Sequence, residues 1–208
     1  MKRFALILAM LTVLLPAACF AGPFGFDYGM TKDQVIAMVG NQNVIKNEGI
    51  FLRVAAAPKS DDNFEAYSLL ISPEKGLLKI IAAGKTWETS QSGTELRVHF
   101  GAMRDVLARK YGPPSKSYDF LQPDSHMDAP AAFTESLRLK QRVLACNWDV
   151  TAENRKTAGA EADHLIGVIL QAKALRRNAG WLELTYEFEG FSAFYEELNK
   201  KTEEVRKK

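Results

Sequence analysis

The sequence predicts an α+β protein with an antiparallel sheet, built from two units that each join a helix to a three-stranded meander. Alternating apolar and polar residues recur in both halves of the 208-residue chain, polar turns separate these segments, and amphipathic helical segments precede them. Because such short connections cannot hold crossover helices, we expect antiparallel strands, either in one continuous sheet or in two similar lobes.

Residues 1–21 have the pattern of an export signal. Two basic residues precede an uncharged run, residues 4–15, which is too short to span a bilayer as a helix. Small residues near the end of the segment predict cleavage after Ala21, which leaves Gly22 as the new N-terminus. We therefore expect a periplasmic or secreted protein.

A lipid anchor is the alternative interpretation of the same segment. Leu15–Cys19 resembles a bacterial lipoprotein box, although Pro16 stands where that box prefers leucine. Lipidation at Cys19 would attach the protein to a membrane without changing its fold. We expect membrane association only in that case.

The charge and the cysteine content exclude some classes of function. The 27 basic and 25 acidic residues nearly balance, so the chain lacks the basic excess of a nucleic-acid-binding protein. Removal of the leader takes two basic residues and one of two cysteines, which leaves Cys146 without an intramolecular disulfide partner. Strand alternation places Cys146 among apolar neighbours and predicts a buried, inert thiol.

The first α+β unit is expected at residues 22–92. Thr31 is a typical N-cap residue, Gln34 has the spacing of a capping box, and Gly40 ends the helix. Three strand segments follow it, at residues 50–54, 64–72 and 77–81.

The second unit is expected at residues 93–208. Apolar residues at three- and four-residue steps predict a helix from Leu96 to Tyr111, with Ser92 and Glu95 at capping-box spacing. A shorter helix, three strands and a charged C-terminal helix are expected after it, at residues 130–141, 142–150, 164–175, 181–189 and from 192 onward.

An equal spacing of glycines is consistent with duplication of one α+β unit. Gly29 and Gly40 bracket the first helix at the separation that Gly101 and Gly112 have in the second. Two unrelated amphipathic helices that end in glycine would also match in this way, so both origins stay open.

The segment that enters the first helix resembles a known family. Phe26–Gly40, with Gly29–Val35 at the helix entry, is similar to the BamE/SmpA-like envelope lipoproteins. That resemblance implies a helical segment on an antiparallel sheet, and a role in assembly or interaction rather than catalysis. Secreted β-lactamase-inhibitor proteins carry tandem copies of a similar module. Phe24–Phe26 is also similar to other exported bacterial proteins, a likeness that implies no function.

The sequence offers few candidates for catalysis. It has no glycine-rich phosphate loop, nucleophile elbow or CxxC pair, and its histidines, at positions 99, 126 and 164, lack metal-ligand spacing. Asp61–Asn63 lacks the ligand pattern of a calcium loop and is expected to be a solvated hairpin loop. Asp124–Asp128 is the one polar cluster with metal-binding or acid–base character.

The leading hypothesis is a non-enzymatic envelope protein that binds another protein or a ligand through a sheet face or a loop. It needs no catalytic, cofactor-binding or metal-binding residue, and its partner would be an envelope protein. The alternative is a small secreted hydrolase or metal-dependent enzyme, in which the Asp124–Asp128 loop meets Asp163 or His164. Convergence of these side chains in one pocket would favour the alternative.

Overall fold

The structure is a computed structural model that describes residues 22–159 and 162–206. The expected leader and the lipidation site at Cys19 therefore lie outside the described residues. Within them the chain is α+β, with nine strands in one antiparallel sheet and five α-helices, which confirms the expected fold class. None of these helices combines the length and hydropathy that a membrane crossing requires.

The helices and strands alternate in groups along the chain. The helices are α1 (Lys32–Val39), α2 (Thr94–Tyr111), α3 (Phe133–Arg138), α4 (Ala152–Ala158) and α5 (Phe191–Arg206). The strands are β1 (Val44–Glu48), β2 (Phe51–Val54), β3 (Phe64–Ser72), β4 (Gly76–Gly84), β5 (Trp87–Glu88), β6 (Lys116–Leu121), β7 (Arg142–Asp149), β8 (Leu165–Arg176) and β9 (Ala179–Phe188).

The sheet has the strand order β1-β2-β3-β4-β9-β8-β7-β6, and β5 pairs with the start of β9. Each half of the chain thus supplies four consecutive neighbours, one more than the predicted three. The additional strands, β1 and β6, lie at the two outer edges, where most side chains are exposed and apolar alternation is weak. The halves meet where β4 pairs with β9, so the sheet is continuous.

One face of the sheet packs against α1, α2 and α3 and forms the main core. The alternate residues of β9 and the apolar stripe of α2 are buried there, as predicted: Leu182, Leu184, Tyr186 and Phe188, with Leu96, Phe100, Leu107 and Tyr111. Trp148 of β7 lies in the same core, and its Nε1 donates a hydrogen bond to the carbonyl oxygen of Gly112 at 2.9 Å. This bond ties the end of α2 to the sheet.

The helix starts agree with the prediction in one case and differ in the other. Thr31 and Gln34 form the expected capping box of α1. The capping box expected from Ser92 is wrong, because Gly93 occupies the N-cap position with φ 68° and makes no side-chain cap. Instead Glu95 reaches back to Ser90, which precedes the helix.

The short helices also differ from the prediction. The helix expected at 130–141 is a 3₁₀ turn followed by α3, which ends at Arg138. Helix α4, which begins after the N-cap Thr151 and lies between β7 and β8, was not predicted. Both helices are a turn or two long, which is too short for a hydrophobic period to define their ends.

Candidate functional site on the open face of the sheet

Among the described residues, the second face of the sheet carries a small hydrophobic cluster at one end. There Phe191 of α5 packs on Leu70 and Leu78, with Ile50, Tyr28 and Phe194 beside them. The main core and this cluster contain alternate residues of the same strands, because successive side chains of a strand point to opposite faces of the sheet. We call the part of the second face on β2, β3, β4 and β6 to β9 beyond this cluster the open face.

A central row of side chains crosses the open face from strand to strand. Paired positions join Ile81 to Thr185, Thr185 to Ile169, and Ile169 to Asn147. Thr185 is buried among its neighbours, and the other three are partly exposed. The middle of the face is therefore a mixed apolar and amide surface, without a charge in this row.

Ion pairs flank the central row on both sides. Lys79 Nζ lies 2.8 Å from Glu187 Oε1, and the same ammonium group lies 4.5 Å from the ring centroid of Phe191. On the other side Lys173 Nζ lies 3.6 Å from Glu183 Oε1. Because each of these charges is paired with the opposite charge on a neighbouring strand, these four side chains add no net charge to the face.

Small residues and aromatic residues are distributed unevenly on this face. Ala66 pairs with Ala83 beside the central row, Ala145 lies farther along the same side, and Gly167 lies on the opposite side of the row. Larger rings lie nearer the margin, namely Trp181 of β9 and the Tyr118 and Phe120 pair of β6, whose ring centroids are 6.2 Å apart. Short side chains therefore lie beside the central row, and rings lie nearer the margin of the face.

The open face is large enough for a protein partner. Seven strands at a spacing of about 4.8 Å give a width of roughly 29 Å, and three two-residue steps give roughly 20 Å along the strands. Their product, roughly 600 Å², is about three quarters of the ~800 Å² per partner of a standard protein–protein interface.

A second polar cluster lies at the end of the sheet, around His164. Its ring stacks on Tyr28 with centroids 4.4 Å apart, and its Nδ1 lies 3.1 Å from Glu189 Oε2. Arg155 contacts the other carboxylate oxygen of Glu189 at 2.8 Å. Hydrogen bonds from His164 and then Arg155 hold the pKa of Glu189 below its ordinary value. The cluster joins the N-terminal segment to the second half of the chain.

The Asp124–Asp128 loop does not converge with this cluster. Ser125 of the loop bonds to Gln141 at 3.0 Å, beside the Arg142 end of β7, whereas His164 lies beyond the other end of that strand. Seven strand steps at about 3.3 Å separate the two ends by roughly 23 Å. Asp124, His126 and Asp128 are all exposed, so the convergence that would favour an enzyme does not occur.

The other predicted positions have ordinary structural roles. His99 stacks on Trp87 with centroids 4.3 Å apart. Asp61 accepts a hydrogen bond from the main-chain nitrogen of Asn63 at 2.8 Å, in a loop before β3, as expected. Cys146 is 3% exposed and belongs to the main core, which confirms the predicted burial.

The described residues contain no group of three or more histidine, cysteine, aspartate or glutamate side chains that could hold a metal ion. A sheet face was predicted as a binding surface in general terms, but the open face itself was not. The signal was present in the alternation of Glu183, Thr185 and Glu187 with apolar residues along β9.

No family model matches the chain, and searches of curated proteins and of solved structures return no significant match.

Proposed function

We propose that this chain is an exported, non-enzymatic binding protein that holds a partner protein on the open face of its sheet. The observation that carries the proposal is the central row from Ile81 to Asn147, which the described helices leave uncovered. A face of this area with apolar and amide groups has to be solvated or bound, and the rings at its margin are typical interface anchors.

Electrostatics favours a partner recognised by shape and local pairing rather than by a strong field. The whole chain has a formal charge of +2, and the charges on either side of the central row form two ion pairs, Lys79 with Glu187 and Lys173 with Glu183. Association through this face is therefore expected to depend only weakly on salt concentration.

The proposed compartment is the bacterial envelope or its exterior. It rests on the export pattern of residues 1–21, with cleavage after Ala21, and a lipid anchor at Cys19 remains the alternative. Sequencing the N-terminus of protein recovered from the envelope, together with its intact mass, tests this step. A terminus at Gly22 is expected, whereas a lipid adduct on Cys19 would contradict the unanchored form.

We further propose that residues 22–92 and 93–208 are two units of one type, each a helix followed by a meander. Support comes from the matching order, since α1 precedes β1 to β4 and α2 precedes β6 to β9. The glycine spacing around the two helices is consistent with it. The BamE/SmpA-like resemblance of Phe26–Gly40 supports an interaction role for the same module.

The enzyme alternative, based on the Asp124–Asp128 loop with Asp163 or His164, has no converged set of side chains to support it. The His164 and Glu189 pair lies at the other end of β7 and is engaged by Arg155 and Tyr28. No observation favours a second function over partner binding.

Surface variants test the binding proposal. Trp181→Ala and Ile169→Glu change the open face, whereas Val98→Glu changes an α2 position that is 66% exposed on the far side of the molecule. Partner recovered with the wild-type protein should fall at least tenfold with the first two variants and stay unchanged with the third. Equal recovery with all three, at unchanged melting temperatures, would contradict the proposal.

A further inference from the structure

Strand β6 is an outer edge of the sheet without a bulge. It is paired on one side only, with β7, through an unbroken register from Lys116 to Leu121. Within residues 22–159 and 162–206 no other strand pairs with it. Phe120 is 42% exposed, so a regular strand with an exposed ring ends the sheet.

The opposite edge is protected in ways that β6 is not. The pairing of β1 with β2 contains an irregularity between Val44 and Lys46, which bends an edge away from partners. The ammonium group of Lys32 also contacts the Asn47 side chain and the Gly49 carbonyl, both at 2.6 Å. The register of β6 has no such irregularity.

The hydrogen bonds of β6 define which main-chain groups face outward. The nitrogen of Gln122 donates to the carbonyl oxygen of Gln141, its direct neighbour on the β7 side, at 2.7 Å. Main-chain groups alternate along an antiparallel strand, so those of Tyr118 and Phe120 face β7 and those of Ser117 and Asp119 face outward. These outward N–H and C=O groups can form hydrogen bonds with another strand.

We propose that β6 pairs with β6 of a second copy of this chain, antiparallel about a twofold axis at Tyr118. Such an axis is perpendicular to the sheet and keeps both open faces on the same side, so directly opposite residues must belong to the same face. Centred on Tyr118, this register sets Lys116 opposite Phe120 of the second copy. It also sets Ser117 opposite Asp119 of the second copy.

Side-chain pairing favours this register over the one centred on Asp119. A lysine ammonium over a phenylalanine ring is an attractive pair, and a serine hydroxyl can donate to an aspartate. Asp119 already lies 2.7 Å from Arg142 and 3.6 Å from Arg97, so its charge is balanced within one copy. The neighbouring register, centred on Asp119, would instead set two carboxylates directly opposite each other, which is unfavourable.

The pairing covers the exposed ring of Phe120 and joins two open faces into one surface. Each copy contributes one six-residue strand, well below the ~800 Å² per partner of a standard interface. The dimer is therefore weak and concentration-dependent, and it forms where the protein is concentrated.

A symmetric disulfide tests the register. Opposite residues in a non-hydrogen-bonded pair have Cβ atoms close enough for a disulfide, and Tyr118 would face itself in such a pair. Tyr118→Cys should form a covalent dimer at least tenfold faster than Ile45→Cys, a control on β1 that is 54% exposed. The native thiol, Cys146, is buried, and Cys19→Ala is included wherever the leader is retained. Equal or undetectable cross-linking of the two variants would overturn the proposal.

A charge exchange tests the same pairing without cross-linking. Phe120→Lys places two ammonium groups opposite each other and should raise the dimer dissociation constant at least tenfold in analytical ultracentrifugation. Adding Lys116→Glu to that variant restores an attractive pair and should restore dimerisation. A wild-type protein that stays monomeric at 1 mM, or a double variant no better than the single one, would contradict pairing between two copies, even if β6 takes a strand of another protein.

Discussion

The main-chain nitrogen of Gly22 donates a hydrogen bond to Asp27 Oδ1 at 2.8 Å. Gly22 is buried, and a Cβ at this position would collide with the carbonyl oxygen of Phe26, so the site needs glycine. Gly22 is also the residue that the proposed cleavage makes the N-terminus. Cleavage would convert this amide into an ammonium group that already has a carboxylate partner.

The Gly22 and Asp27 contact is therefore expected to stabilise the processed protein more than an extended form. Asp27→Asn should cost about 1 kcal/mol more when Gly22 is the N-terminus than when Ser-Ala precedes it, because hydrogen bonds to charged groups are stronger. Urea denaturation of the four proteins measures the difference. Asp33→Asn, at an exposed position in α1, is the matched control. An equal cost of Asp27→Asn in both forms would exclude an ion pair.

Glu95 is predicted to make stability depend on pH. Its Oε2 accepts hydrogen bonds from the Ser90 nitrogen at 2.6 Å and hydroxyl at 2.9 Å, and from the Thr89 hydroxyl at 3.0 Å. These bonds, the Ser90 main-chain bond first, lower the pKa of Glu95 to about 2. Since the unfolded value is about 4.3, the stabilisation is complete above that pH and is lost as the pH falls towards 2.

Glu95→Gln should accordingly destabilise the protein at pH 6 and cost progressively less between pH 5 and pH 2. Denaturant unfolding at intervals across this range measures the effect. Glu153→Gln, at an exposed first-turn position of α4, controls for the general effect of removing a carboxylate. A loss that stays constant with pH would show that the charge of Glu95 is not responsible.

Tyr28 and His164 are predicted to be energetically coupled. Their rings stack at 4.4 Å, and His164 is held at φ 58°, a left-handed conformation that few residues with a side chain adopt. A double-mutant cycle with Tyr28→Leu and His164→Ala should give a coupling energy of about 0.5–1.5 kcal/mol. Tyr28→Phe, which keeps the ring, should preserve most of it. Additive effects would mean that the stack contributes nothing.

Cys146 is predicted to resist thiol reagents in the folded protein. It is 3% exposed, and its sulfur lies 3.5 Å from the Ser117 hydroxyl. Modification needs local or global opening, so we expect labelling to be slowed by on the order of 10³-fold or more without denaturant. An Ile45→Cys variant supplies an exposed thiol for comparison. Rapid native labelling of Cys146 would place it in an accessible environment.

The sequence predicted those elements whose side chains alternate between a core and water. The alternation along β9 and the apolar stripe of α2 each report one buried face, so both elements could be predicted with their inward residues. Strands β1 and β6 could not, because edge strands are exposed on both faces and carry little apolar alternation. The order of the strands in the sheet could not be predicted either, because the pairing of β4 with β9 joins distant parts of the chain.

The candidate site was harder to predict than the fold. The open face is a property of sheet order and of where the helices pack, and the row from Ile81 to Asn147 draws residues from four strands. No local motif marks such a surface. The Asp124–Asp128 loop, by contrast, was a candidate site in the sequence. The polar residues that turns require are also the residue types of metal-binding and acid–base sites.

Site-specific photo-cross-linking in living cells is the most direct test of partner binding through the open face. A photoreactive amino acid at Ile169, in the central row, is compared with one at Val98 on the exposed side of α2. We expect one predominant cross-linked protein from position 169, found in the cell envelope, and none from position 98. Absence of a product at 169, or the same products at both positions, would contradict binding through this face.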